Sequence, residues 1–184
     1  MPINAFNGKF PRFDESVYID ETAVIIGDVT LGADVSIWPT AVVRGDVEKI
    51  TIGKASNIQD GCILHVSHAG QYSQQGHPLI MGEGVTLGHR AVVHASTIGN
   101  YCLIGIGAIV LDDAILEDYV MLGAGSLVPP AKKLYSGNLY VGAPAKLSRA
   151  LTPQEKAFLE YSAQHYVSLK NRYLVARHKN CGHQ

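Results

Sequence analysis

Aliphatic residues recur at every sixth position over most of this chain, and that spacing fits neither common amphipathic element. From Ile19 the series runs Ile25, Leu31, Ile37 and Val43, then resumes after a slip of three residues at Ile52, Ile58 and Leu64. After a longer break it returns at Met81, Leu87 and Val93, drops one residue, and continues Ile98, Ile104, Val110, Leu116, Leu122 and Val128. A helix repeats near 3.6 residues and a half-buried strand every two. A period of six instead describes one short strand and one corner. Four residues after each mark stands a second inward candidate, mostly small enough for a bend: Ala23, Val29, Val35, Ala41, Ser56, Cys62, Val85, Ala91, Thr97, Cys102, Ala108, Ala114, Val120 and Ser126. Three such sides close a coil of roughly 18 residues, and stacked coils pair their backbones as a parallel β-helix. Glycines at or before corners (Gly27, Gly32, Gly53, Gly82, Gly88, Gly99, Gly105, Gly107, Gly123, Gly125) are expected to supply turn conformations.

The reading divides the 184 residues into an N-terminal arm (1–18), a repeat domain (19–150) with a loop at 66–79, a C-terminal helix (151–178) and a tail (179–184). The repeat ends near Val128-Pro129-Pro130, so 131–150 reads as a connecting segment. Thr152-Pro153-Gln154-Glu155 is a helix start with a capping box. Phe158, Ser162, His165, Tyr166, Leu169 and Tyr173 follow at helical spacing, as a face against the prism. The fold class is therefore mainly β, a parallel β-helix with one C-terminal α-helix.

A net charge of −1 argues against a nucleic-acid grip built on a basic surface. No apolar run is long enough for a membrane span, and the N-terminus lacks the pattern of a signal peptide. Three scattered cysteines, Cys62, Cys102 and Cys181, form no disulfide framework, so a reducing cytoplasm is expected. Cys62 and Cys102 occupy the small inward slot and read as packing residues.

Counting by sides gives the eight histidines meaning. Arg44, His65 and His94 each follow the inward residue of side two, so they point outward and stack on three successive coils. His65 and His94 are thus neighbours about one strand spacing apart, roughly 4.8 Å between backbones, close enough to converge on one metal. His89 lies on side one and projects elsewhere; it joins the same metal only from another chain. That geometry suggests a closed ring, and a trimer suits a three-sided prism. Arg44 and Asp46 flank Gly45. Asn57, Gln59 and Asp60 lie one coil on, with Gln59 expected outward beside side two, where such groups orient ligands or a bound oxyanion. His68, His77, His165, His178 and His183 read as ordinary surface, loop or tail residues.

The segments Arg44-Gly45-Asp46, Asn57-Ile58-Gln59-Asp60, His65 and Gly88-His89-x-x-x-x-His94 resemble the gamma-class carbonic anhydrase family of left-handed hexapeptide-repeat proteins. The resemblance implies a homotrimer with three interfacial metal sites, each built from two histidines of one subunit and one of its neighbour. It makes His65, His89 and His94 the metal ligands, and Arg44 and Asp46 an interfacial pair near the metal. Asn57 and Gln59 would orient the metal-bound solvent. Asp60 would lie near the substrate pocket, and Tyr166 matches a tyrosine of the family's terminal helix. The implied reaction is hydration of CO2 to bicarbonate, with Zn2+ as cofactor and Fe2+ or Co2+ compatible with the same imidazoles. The loop Ser67–Pro78 departs from catalytically strong members. It has no Asp or Glu to carry the released proton, and offers His68 and His77 instead; Val47 stands where an acidic residue can follow the Arg-Gly-Asp turn. Two other functions share the scaffold: acyl transfer or thioester hydrolysis, and a non-catalytic trimer stapled by metal.

Overall fold

The structure is a computed structural model that describes residues 3–71 and 74–181, with backbone alone for 178–181. It is a parallel β-solenoid of about eight turns with a single C-terminal helix. Short strands stack wall upon wall. One eight-stranded sheet runs from Tyr18–Ile19 through Ser36–Ile37, Asn57–Ile58, Thr86–Leu87, Leu103–Ile104 and Met121–Leu122 to Asn138–Val141 and Lys146–Ala150. An eleven-stranded sheet supplies the other two walls, joined where Val24–Leu31 and Val42–Ile52 turn a corner without losing strand character.

The marked aliphatics all point inward and are buried, from Ile19 to Val128. Their registers follow the count by sixes: Ile19 pairs Ile37, Ile37 pairs Ile58 across the three-residue slip, and Ile58 pairs Leu87 across the loop. Each fully buried Ile, Leu or Val contributes roughly 1.5–3 kcal/mol, so a narrow one-layer core still holds the stack. The small slot is filled as expected except at Thr97. The dropped residue shifts that corner, leaving Thr97 exposed and putting Ser96 inside. Cys62 and Cys102 are buried there, and burial pushes both thiols up to about 12.

Glycine works differently from the expectation. Gly27, Gly107 and Gly125 have positive φ, but many corners place Asp34, Thr40, Ala55, Arg90, Tyr101, Asp113, Tyr119 or Ala131 in that region. The other expected corner glycines serve close approach between coils: a Cβ on Gly53 would stand 2.4 Å from the Gly82 carbonyl oxygen, and one on Gly105 2.4 Å from the Ala124 nitrogen.

Both ends of the solenoid are more ordered than the sequence reading allowed. The N-terminal arm begins a further coil, with Ile3–Asn4 parallel to Ile25 and Ile26 and a bridge from Arg12 to Thr30. The segment 131–150 continues the stack: Leu116 pairs Leu134 and Leu122 pairs Tyr140. Lys146–Ala150 then turns back antiparallel against Asn138–Val141.

The helix spans Pro153–Cys181, beyond the expected end; residues 182–184 of the expected tail, with His183, lie outside the described residues, as does the His178 side chain. Its capping box forms, with the Thr152 N–H on Glu155 Oε2 (2.8 Å) and the Glu155 N–H on Thr152 Oγ1 (3.2 Å). The buried stripe is Leu159, Ser162, Ala163 and Lys170, while Phe158 and His165 face outward. Trp38 docks the helix edge-on against Tyr166 and Tyr173, with ring centroids 5.7 and 5.1 Å away. Lys170 is 1% exposed and pairs with Asp34 at 2.7 Å.

Candidate metal centre

Strand register brings the first group of site residues together. Ile63–His65 and Val92–His94 pair in parallel with His94 opposite His65, and their rings lie 5.1 Å apart. The three-residue slip explains the next member. The strand Val42–Ile52 bulges after Gly45, so Asp46 leaves the ladder and reaches His65. A Cβ on Gly27 would meet the Gly45 carbonyl oxygen at 2.2 Å, so this corner requires glycine beneath it. Arg44 forms an ion pair with Asp46.

The chemistry follows from which nitrogens are committed. Burial alone would raise the Asp46 carboxyl, but hydrogen bonds from Arg44 and His65 outweigh it and hold the group below its usual range. An ionised Asp46 only accepts, so His65 Nε2–H donates to Asp46 Oδ1 at 3.0 Å. Burial pushes the His65 imidazole below its usual range despite Asp46, which favours the neutral ring with its lone pair on Nδ1. Nδ1 faces His94 Nε2 at 3.0 Å. The His94 Nδ1 lies 2.6 Å from Asp112 Oδ1, and Asp112 also accepts from Ser67 Oγ. Burial opposes the charge on Asp112, but the bonds from Ser67 and His94 keep its carboxyl low.

Two ring nitrogens whose opposite positions are committed to carboxylates therefore face one another at hydrogen-bond distance. A contact of this length accommodates one cation shared by the two, a proton in an N–H···N bond or a metal ion. Two nitrogens on one tetrahedral zinc sit about 3.3 Å apart, so the observed opening is close to that of a shared ion. The donor set fits a divalent metal, short of a third ligand.

The second group sits on the other sheet. Asn57 is fully buried at the strand Asn57–Ile58; its amide donates to Thr86 Oγ1 at 2.9 Å, and its oxygen accepts from Gln59 Nε2 at 3.2 Å. The Thr86 hydroxyl meets that of Ser162 on the helix at 3.0 Å. Gln59, expected outward, is only 6% exposed. It lines an apolar cavity of about 490 Å³ with Thr86, Ile106, Phe158, Ser162 and Tyr166. Burial raises the Tyr166 hydroxyl above its usual range. His89 and Asp60 share a bond of 2.8 Å between Nδ1 and Oδ2 at the surface, each side chain 48% exposed.

The nine residues singled out by sequence thus form two groups. Arg44, Asp46, His65 and His94 meet on one wall; Asn57, Gln59, Asp60, His89 and Tyr166 gather around another. No arrangement of three or more His, Cys, Asp and Glu able to hold a metal occurs among the described residues of the single chain. Sequence reasoning passed over Asp112 and Ser67. Continuing the side count one coil past His94 reaches Leu111, and Asp112 is the next residue, so the signal was one step further on.

A hexapeptide family profile, described as Bacterial transferase hexapeptide (six repeats), matches residues 95–130. Protein YrdA of Escherichia coli (strain K12) is 52% identical over 94% of this chain and 94% of its own. The carbonic anhydrase of Geobacillus kaustophilus is 40% identical over 95% of this chain and 91% of its own. The chain belongs to the gamma-carbonic-anhydrase-like family of hexapeptide-repeat proteins. Among solved structures, a hexapeptide transferase family protein from Anaplasma phagocytophilum superposes with a TM-score of 0.86 at 39% identity, over 94% of this chain and 98% of that one. Membership in this family therefore carries relatives named for two chemistries. Among the described residues, no helix is long and apolar enough to cross a membrane.

Proposed function

We propose that the protein is a metal-dependent carbonic anhydrase of the gamma type, catalysing CO2 + H2O ⇌ HCO3− + H+ at sites between the subunits of a homotrimer. The observation that carries this reading is the 3.0 Å approach of His65 Nδ1 to His94 Nε2 in a chain of this family. His65 and His94 of one subunit, with His89 of the next, would hold the cation; zinc is the first choice, and iron(II) or cobalt(II) suit the same imidazoles. Such an ion supplies Lewis-acid activation, lowering the pKa of a bound water to about 7 in the case of zinc.

The chain's own residues do the rest. Asp46, oriented by Arg44, fixes the His65 ring with Nδ1 free. Asp60 does the same for His89, leaving its Nε2 outward. Asn57 orients the Gln59 amide at the cavity wall, where it offers hydrogen bonds to the oxygens of bicarbonate. Tyr166, Ile106 and Phe158 give that cavity an apolar surface suited to weakly hydrated CO2. The loop histidines His68 and His77 would accept the released proton; they line a second cavity of about 520 Å³ with Ser67, Asp112 and Asp113.

Stopped-flow CO2 hydration by anaerobically prepared protein, loaded in turn with zinc, cobalt or iron and assayed for metal per subunit, tests the reaction. Turnover above buffer is expected. A fully loaded protein at the buffer rate with all three metals would exclude the reaction and leave the site standing. Thioester transfer or hydrolysis is the second reading, favoured by the apolar cavity and by the transferase relatives. Product from acetyl-CoA, with or without metal, would select it. A metal that only staples subunits predicts dissociation on chelation with no turnover of either substrate.

A further inference from the structure

We infer that Asp112 is the positioning residue for His94: its carboxylate fixes the imidazole in the Nδ1–H form and so presents Nε2 to the metal. This rests on the proposed metal site, and extends it to a residue outside the family motifs quoted above. The contact is direct, 2.6 Å from His94 Nδ1 to Asp112 Oδ1. It is also the counterpart of the 3.0 Å bond from His65 to Asp46. Each ligand ring is thus backed by one carboxylate, from opposite neighbouring coils.

Backbone bonds hold Asp112 at that distance. The Asp113 N–H donates to the Ala95 carbonyl at 2.8 Å, beside His94, and the Asp112 carbonyl accepts from the Ala131 N–H at 2.8 Å on the coil beyond. Ser67 Oγ donates to the other carboxylate oxygen, Oδ2, which leaves Oδ1 for the ring. The neighbouring acid takes the far end of the same loop, His77 Nδ1 lying 2.5 Å from Asp113 Oδ1. Ser67 and His77 exchange backbone hydrogen bonds of 3.2 and 2.9 Å. Asp112 therefore has two jobs that must be separated: support of a ligand and anchoring of a loop.

The alternative, a purely structural anchor, predicts something different for Ser67. Removing the hydroxyl breaks the loop tie and leaves the His94 contact. The test uses the full chain. Zinc affinity is measured by chelator competition for wild type, Asp112→Asn and Ser67→Ala. The His94 tautomer is read by 15N NMR in metal-free protein at pH 8, assigned against His94→Gln. Loss of a carboxylate behind a ligating histidine typically weakens metal binding about 10- to 100-fold. That loss is expected for Asp112→Asn, with Ser67→Ala near wild type. The wild-type His94 ring is expected to carry its proton on Nδ1, and Asp112→Asn to shift part of it to Nε2.

Unchanged zinc affinity in Asp112→Asn, or an equal loss in Ser67→Ala, would overturn the assignment. So would a wild-type His94 protonated on Nε2, a result that needs no variant to fold. If the wild-type chain binds no zinc, the metal reading fails by itself, and the tautomer still decides the role of Asp112.

Discussion

His94, like His65, carries two contacts, one to a second imidazole and one to a buttressing carboxylate. On the proposed function, replacing it with Ala is expected to abolish bound metal and CO2 hydration together, with the circular dichroism retained; metal analysis beside the stopped-flow rate checks this. A different residue-scale prediction concerns the coil spacing. Gly53→Ala puts a Cβ 2.4 Å from a backbone oxygen of the next coil, so the stack must part. Overpacking of this kind costs about 1–3 kcal/mol, read as a lower denaturant midpoint. Gly107→Ala has open space around the new atom but a φ of +65°, and is expected to lose about 1 kcal/mol from backbone strain alone. The two glycines look alike in sequence, because a six-residue count reports where a corner falls and not whether another chain segment lies against it. Thr97 was misplaced for a related reason: one dropped residue moves a corner without disturbing the next aliphatic mark. Asp112 escaped notice because its partner lies a full coil away, and the count assigns slots without saying how far a side chain reaches.

The terminal helix is the element whose start was legible and whose face was legible in part: Ser162, Tyr166 and Tyr173 pack against the prism, and Phe158 and His165 do not. Thr152 and Glu155 announce the capping box, and both bonds form. Thr152→Ala is expected to lower stability by about 1 kcal/mol. The Glu155 carboxyl is held down to about 2, by Arg149 foremost and then by the Thr152 N–H. A depressed carboxyl stabilises the folded state fully above its unfolded value near 4.5, and that contribution disappears as pH falls toward 2. Thermal melts followed at 222 nm should therefore be flat in this respect from pH 7 to 5 and decline below, and Glu155→Gln should remove that part of the slope. The expected face departs from the packed one at Phe158 and at Lys170. Phe158 is half exposed, while Lys170, a residue that hydrophobic periodicity discards, is buried with its ammonium on Asp34. Burial of a paired charge leaves no trace in an aliphatic repeat.

For the molecule as a whole, the period of six revealed the wall count, the stacking and the side-by-side placement of His65 and His94, because a narrow core admits only one inward residue per side. It could not say where the second group, around His89 and Gln59, finds its counterpart, since on the proposed function that depends on a copy of the chain. Multi-angle light scattering is expected to give three times the 184-residue mass, and mixing a His94→Ala chain with a His89→Ala chain should restore a fraction of intact sites that neither variant has alone. The closures at the two ends bear on this. A bare solenoid terminus is an open ladder of hydrogen-bonding groups, able to recruit the next molecule head to tail and grow into a fibre. Here Ile3–Asn4 occupies one rim, and the reversed, solvent-facing strand Lys146–Ala150, with its two cationic side chains, occupies the other. The reversed cationic strand discourages lengthwise polymerisation at its rim.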